Sequence, residues 1–535
     1  MSSNLASFMQ TLVSMVILSN EFAGSVPGQF RSLYRIKSLP PNNCTLSFPK
    51  WIQLTLFCAF STICQNLPAA SYFVAKTGSD SNPGSAALPF LTVQKGVNTA
   101  QAGDTVLVGA GNYSENVTST ASGTSGNPIV LDGQGVATLW SFLATHHHLE
   151  FRNWTVAGKA SGWWFWMGKG AHYCVLSNNI FDGGFNDRLD RMLRWDSPEI
   201  ALLPWGTNCA SDVLVISNTF KRAIGTTAIE IFGDHNVIHG NRLIDGDAVD
   251  WFHVWGRSNR IVGNLCSNAF VSGVSANHPD FIQTFGLNGA GAIGNIIENN
   301  TVVASHGDSQ LCMFEGQDCQ NLRDFTFRNN LFIGVSSKGT IACPEVSFYN
   351  NIFVDCSTNP ITAGPVLIFT TATNSTWTNV ALNSGHSGKV FNNVFLNCGG
   401  TASDKGWYAF DTSLSNIEAD YNFVSKNGYT AVVEDSLQRA IGNPGGWDKF
   451  KWWEPHGING GDPLFVNASK WDFRLLEGSL LVGKALPRNQ LFQTDMRGIL
   501  RGAQWDVGPF EFRVGETDSL PVAPSNLRVL RVSSP

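Results

Sequence analysis

Asparagine returns along this chain at a near-regular interval, each time ahead of a short apolar run. The marker stands as Asn178-Asn-Ile-Phe, Asn218-Thr-Phe, Asn241-Arg-Leu, Asn264-Leu and Asn299-Asn-Thr-Val. It continues as Asn329-Asn-Leu-Phe, Asn350-Asn-Ile-Phe, Asn392-Asn-Val-Phe and Tyr421-Asn-Phe-Val. The shortest intervals, 218 to 241 to 264 and 330 to 351, are 21–23 residues. Three short strands and three turns fill about that length. Asn suits such turns because it tolerates the left-handed region and its amide can bond to like residues above and below. The pattern predicts an all-β solenoid in which each repeat buries its apolar face against the next. Longer intervals predict insertions at 182–212, 268–279, 301–309 and 360–388.

Within residues 226–300 three segments share one frame: Ala228-Ile-Glu-Ile-Phe-Gly, Trp251-Phe-His-Val-Trp-Gly and Phe281-Ile-Gln-Thr-Phe-Gly. Alternate residues are apolar (Ile229 and Ile231, Phe252 and Val254, Ile282 and Thr284), the period of a strand with one buried face. Stacked in register, the opposite face reads Glu230, His253, Gln283. Aromatic rows flank it: Phe232, Trp255 and Phe285 on one side, Ala228, Trp251 and Phe281 on the other. Thr227, Asp250 and Asp280 each stand six residues before the closing Gly.

Only 14% of residues are charged, 53 are Gly, and the net charge of −6 is thinly spread. Such a composition suits a β-rich repeat rather than a helical protein. No basic stripe is present, which argues against a nucleic-acid partner. Lys50, the apolar run 51–63 and Leu67-Pro-Ala-Ala read as a signal peptide over about 46–70, downstream of an extension at 1–45. The run is too short and too polar for a membrane span, so a secreted or surface-exposed chain, monomeric after processing, is expected. Of eleven Cys, Cys356 and Cys398 occupy like positions after Asn351 and Asn393. Export permits a disulfide between them, with stacking as buried thiols the preferred alternative.

Residues 71–127 contain Tyr72-Phe-Val-Ala-Lys-Thr-Gly-Ser-Asp, Pro89-Phe-Leu-Thr-Val-Gln-Lys-Gly-Val and Gly111-Asn-Tyr-Ser-Glu-Asn-Val. They resemble the N-terminal cap of secreted right-handed parallel β-helix proteins, including the family-nine pectate lyases. The resemblance implies a first strand and a short helix near 91–100 covering the open end of the solenoid, as its exposed core and strand edges require. Residues 431–515, with Asp472-Phe-Arg-Leu and Asp506-Val-Gly-Pro-Phe-Glu-Phe, resemble the C-terminal cap of that group. Between the caps, 128–430 is expected to form the right-handed parallel β-helix, and 516–535 a tail.

Asp250 and Asp280 fall on adjacent coils, and stacked strands lie about 4.8 Å apart. Two carboxylates this close either share a proton as an acid/base pair or bind Ca²⁺ with Asp245 and Asp247. Solvated turn carboxylates are the plain alternative. His253, beside Glu230, fits a general base or acid, or a purely structural ladder residue. His278 and Asp280, in Asn277-His-Pro-Asp, could face one way on an extended segment. Trp251, Trp255, Phe285, Phe232 and Trp205 are expected to make a sugar-binding platform with Gln283 and Arg257, unless insertions cover them. Trp163-Trp-Phe-Trp could extend that row, and His306 and Asp308 could reach it from a rim. The run His146–His148 has metal-like composition, but alternate residues point apart.

In pectate lyases of this fold a Lys or Arg beside Ca²⁺ is the base. The nearby cations here, Lys221, Arg222, Arg242 and Arg257, lie outside the ladder. Gly-Asp-Asp and Gly-His-Gly, the signatures of polygalacturonases, are absent. These features predict an enzyme that cleaves a polysaccharide in a groove over 227–286, by β-elimination from the resemblance or by hydrolysis through the paired Asp. A carbohydrate-binding surface without catalysis is the alternative of another class.

Overall fold

The computed structural model describes residues 69–515 except 187–190, 196–208, 226, 274–278, 287–290, 304–309, 317–321, 337–338, 359–365, 370–386, 400–407, 411–415, 427, 429–438, 441–448 and 451–453. The expected signal peptide, but for its last two residues, and the tail 516–535 lie outside these residues. Short strands pair in parallel with the strands one coil before and after, and three such columns close into a right-handed parallel β-helix. One face stacks Phe165–Met167, Arg191–Trp195, Thr227–Ile231, Asp250–Val254 and Asp280–Gly286. A second contains Leu214–Ile216, Val237–His239, Arg260–Val262 and Ile296–Glu298. A third contains Thr219–Lys221, Arg242–Asp247, Leu265–Phe270 and Thr301–Val303.

The recurring Asn holds the second and third faces together at their shared corner. Asn179, Asn218, Asn241, Asn264, Asn300, Asn330, Asn351, Asn393 and Asn422 form one buried ladder. Each Asn gives its backbone N–H and one amide hydrogen to the Oδ1 of the next, at 2.8–3.0 Å. The other amide hydrogen returns to a backbone carbonyl, as from Asn264 to Ile238 (2.9 Å). Both ends are closed: Trp154 N–H donates to Asn179 (3.0 Å), and the buried Glu454 carboxylate accepts both donors of Asn422. The residue before each ladder Asn carries the positive φ, from Asn178 (56°) and Ser217 (57°) to Tyr421 (60°). The turn thus uses two positions, one for backbone curvature and one for the amide relay. A shorter relay, Asn236 to Asn259 to Asn295, pins the corner between the first and second faces.

Apolar side chains stack inside at the same spacing, as Phe181 on Phe220 (4.6 Å between centroids) and Phe353 on Phe395 (4.8 Å). At the N-terminal end, strand Ser71–Val74 and helix Val93–Thr99 put Val74, Val93 and Val97 into this core. The C-terminal segment takes a lateral position. Phe465, Phe473, Leu481, Trp505, Val507 and Phe510 make a second apolar cluster with Tyr349, Ile352, Val394, Leu396 and Phe423 on the outside of the coils. Its backbone and Arg501 bond to Asn329, Asn350 and Asn392, the positive-φ members of the Asn pairs. Cys174, Cys266, Cys312, Cys356 and Cys398 are buried free thiols, so Cys356 and Cys398 stack without bridging. Burial pushes the Cys174 thiol up to about 12.

Replacing one ladder residue strands buried donors and acceptors on two neighbouring coils. Asn264→Ala is expected to lower unfolding free energy by about 3 kcal/mol, whereas Asn268→Ala, at an exposed position of the strand Leu265–Phe270, should cost under about 1 kcal/mol. Chemical denaturation of both variants checks this; equal losses would show that the relay is not the stabilising element.

Candidate functional site

The first face turns the predicted frame into two polar rows. Register pairs Trp166 with Arg194, Arg194 with Glu230, Glu230 with His253 and His253 with Gln283. A parallel row runs Arg191, Thr227, Asp250, Asp280. Residues three apart would face opposite sides of a flat strand. Here they meet, because the chain rounds a corner at the start of each strand. His253 Nε2 lies 2.9 Å from Asp250 Oδ2, and its Nδ1 lies 3.1 Å from Thr227 Oγ1. Asp250 Oδ1 accepts the backbone N–H of Asp280 at 2.9 Å. Glu230 sits between two guanidiniums, with Oε1 3.3 Å from Arg191 Nε and Oε2 3.6 Å from Arg194 Nε.

Close approach of coils explains the closing glycines. A Cβ on Gly233 would fall 1.7 Å from the Ala210 carbonyl oxygen, and one on Gly256 (φ 95°) would fall 2.3 Å from that of Gly233. Any larger residue there would push successive coils apart and break the register of the rows.

Burial overturns the expected aromatic platform. Phe232, Trp251 and Trp255 are buried, and Phe285 is half-buried. Phe232 stacks on Trp255 at 4.5 Å, and Trp255 meets Phe285 edge-on while its Nε1 donates to the Phe285 carbonyl. These rings serve one another at the end of the strand rather than solvent. Trp251 and Phe281 occupy the corner, where two consecutive side chains turn inward; Phe281 packs on Phe252 and Phe332. Period-two reasoning holds only past that corner. Besides Phe285, the half-exposed aromatics described on this face lie earlier, at Trp163 and Trp166.

Asp250 and Asp280 are 2% and 1% exposed, so neither carboxylate faces solvent as an acid or base across a glycosidic bond. The three carboxylates expected to hold calcium diverge. Asp245 accepts from Asn268, Asp247 from Ser272, and Asp250 from His253 and Asp280. Among the described residues no three His, Cys, Asp or Glu converge to hold a metal ion, and these three Asp do not form a calcium site as they stand. The His146–His148 run also scatters. His146 Nδ1 meets Ser119 Oγ at 2.9 Å, whereas His148 stacks on Tyr173.

Arg257 is exposed beyond the corner, in the short strand Gly256–Arg257. Lys221 and Arg222 pair with Asp182, and Arg242 opens a strand of the third face. His278, Trp205, His306 and Asp308 lie outside the described residues. Arg194, which is not among those four cations, does enter the ladder. Its segment, taken for part of a long insertion, is the strand Arg191–Trp195. Arg191-Met-Leu-Arg-Trp fits the polar and apolar order of Asp250-Trp-Phe-His-Val, with Leu193 and Trp195 buried. The order was a usable signal. The missing Gly after Trp195 and the irregular Asn interval concealed it.

Glu230 is the brace for both arginines. Glu230→Ala is expected to lower stability by about 2 kcal/mol, with Glu230→Gln losing less. Denaturation midpoints check this, and an undiminished Glu230→Ala midpoint would mean that the carboxylate does not anchor the pair.

A family model described as "Protein of unknown function (DUF1565)" matches residues 76–122, the N-terminal cap and first coil. No curated protein matches the chain. Among solved structures, the pectate lyase Pel9A is similar at 15% identity and a TM-score of 0.46, covering 83% of this chain and 97% of its own. XylC in complex with xylose is similar at 11% identity and a TM-score of 0.44, covering 82% and 98%. A GH136 lacto-N-biosidase from Eubacterium ramulus is similar at 13% identity and a TM-score of 0.43, covering 70% and 71%.

Proposed function

We propose that this chain is a secreted enzyme that cleaves an acidic polysaccharide by β-elimination on the first face. The observation that carries the reading is the in-register row Arg194, Glu230, His253, Gln283, with the His253 imidazole held by Asp250. A uronate polymer needs its carboxylate neutralised before the C5 proton becomes acidic, and a guanidinium matches a carboxylate in geometry and charge. Arg194 and Arg191, about a quarter exposed, fill that role. With Nε2 on Asp250, His253 takes the C5 proton on Nδ1, which gives up its contact with the Thr227 hydroxyl; the C–H electron pair forms the C4=C5 double bond, and the C4–O bond breaks. The departing glycosidic oxygen takes its proton from water. Asp250 orients the ring, as a carboxylate commonly does for a working imidazole. Gln283, half-buried next along the row, supplies hydrogen bonds to the sugar. Calcium remains part of the proposal only as an added ion, since Asp245, Asp247 and Asp250 do not converge.

Residues 69–535 are incubated with a panel of acidic and neutral polysaccharides, with and without EDTA. Ultraviolet absorbance of the new double bond is followed beside reducing ends. The expected result is absorbance on a uronate polymer, reduced at least about 100-fold in His253→Ala and Arg194→Ala, with both variants folded by circular dichroism. Loss of absorbance with EDTA would assign a role to calcium. Reducing ends without absorbance would overturn elimination in favour of hydrolysis, and binding without either product would overturn catalysis.

A further inference from the structure

We infer that Trp163 and Trp166 form a second carbohydrate subsite, upstream of His253 on the same face, that grips a uronate residue of the polymer. The inference rests on the reading above and specifies which part of the substrate sets affinity. Among the described aromatics downstream on this face, Phe232 and Trp255 are buried, and Phe285 is half-buried with its ring against Trp255. Trp163 and Trp166 are only half-buried, and they meet edge-on at 5.0 Å with an interplanar angle of 81°. Two indoles at right angles make an apolar floor and wall, the arrangement that a flat sugar face and its edge can occupy.

Each indole carries a cation. Lys159 Nζ lies 4.4 Å from the Trp163 ring centre, and the Arg194 guanidinium lies 4.9 Å from that of Trp166. Lys159 is held there by the Trp163 carbonyl (3.2 Å) and Ser141 Oγ (3.4 Å). A neutral sugar needs the rings alone; rings bounded by an ammonium and a guanidinium suit one that bears a carboxylate. Trp166 is in register with Arg194, and therefore three coils from His253, about 14 Å at the spacing of stacked strands. A disaccharide seated at His253 cannot reach it, whereas a polymer lying along the helix axis can. Arg194 belongs to both places, so the two sites form one track.

The test compares wild type, Trp163→Ala, Trp166→Ala and Trp166→Phe on uronate polymer and on uronate disaccharide, with polymer affinity measured by gel electrophoresis. For polymer, KM and the apparent Kd should rise about tenfold in each Ala variant while kcat falls less than twofold, and Trp166→Phe should restore most of the affinity. Wild type should prefer polymer to disaccharide, and the Ala variants should lose most of that preference. Trp163→Ala removes the wall without removing the ring beneath Arg194, so its loss of affinity separates stacking from a disturbed guanidinium. Wild-type polymer affinity in both Ala variants would overturn the subsite even if elimination proceeds. Binding of polymer by wild type without cleavage would overturn only the catalytic reading, with the subsite judged on the affinities. Absence of both would overturn the two together.

Discussion

The structure depends on an amide relay. A parallel coil has no hairpin to fix its register, and a slip of one residue would exchange the two faces of every strand. The Asn ladder prevents such a slip, because each side chain satisfies a backbone N–H and a backbone carbonyl of the coil before it and donates to the Asn of the coil after it. In Asn264, for instance, one carboxamide links Ile238 and Asn241 of the preceding coil to Asn300 of the next. All four hydrogen-bonding positions of the amide are used, so burial carries no penalty for stranded polar atoms. A relay must also end, and Glu454 ends this one: a carboxylate has only acceptors, which is what the last Asn requires.

The division of labour within the Asn pairs follows from the same geometry. The second Asn enters the relay; the first takes the left-handed φ. Away from the lateral C-terminal segment that first position is Asn178, Ser217, Gly240 or Gly263. Coils beneath the segment use Asn329, Asn350 and Asn392, whose amides bond to it. Arg501 is buried against Asn329 and Glu511. Desolvation lowers its pKa and raises that of Glu511, so the opposite charges make burial of either tolerable. The segment is therefore docked by polar pairing as well as by Trp505 and Phe510.

The repeat, its period and the pairing of Glu230 with His253 with Gln283 were legible in the sequence, because each depends on spacing alone. The surface was not. Whether Trp255 faces water or Phe285 depends on what a neighbouring coil places beside it, and no periodicity carries that information. Trp251 and Phe281 misled for a local reason, since a corner suspends the alternation of a strand. Arg191 and Arg194 were hidden by their setting: their strand lacks the closing Gly and sits between irregular stretches. The carboxylates Asp250 and Asp280 were correctly set on adjacent coils. Their proximity is met by the Asp280 backbone N–H and by His253, rather than by solvent or by a row of ligands.

Coil stacking also dictates what the site can be. Positions repeat along the axis at the strand spacing of about 4.8 Å, so any chemistry assembled from ladder residues is spread along a line. Arg194, Glu230 and His253 stand on three successive coils, and a compact ligand can meet only neighbouring members of the row. A linear ligand meets all of them. Glu230 braces both arginines through Nε, which is one of the five donors of a guanidinium, so bracing and binding need not compete for the same atoms. The same rigidity that keeps Asp250 on His253 keeps the guanidiniums in place before a ligand arrives. That favours recognition by a preformed track over closure around a substrate.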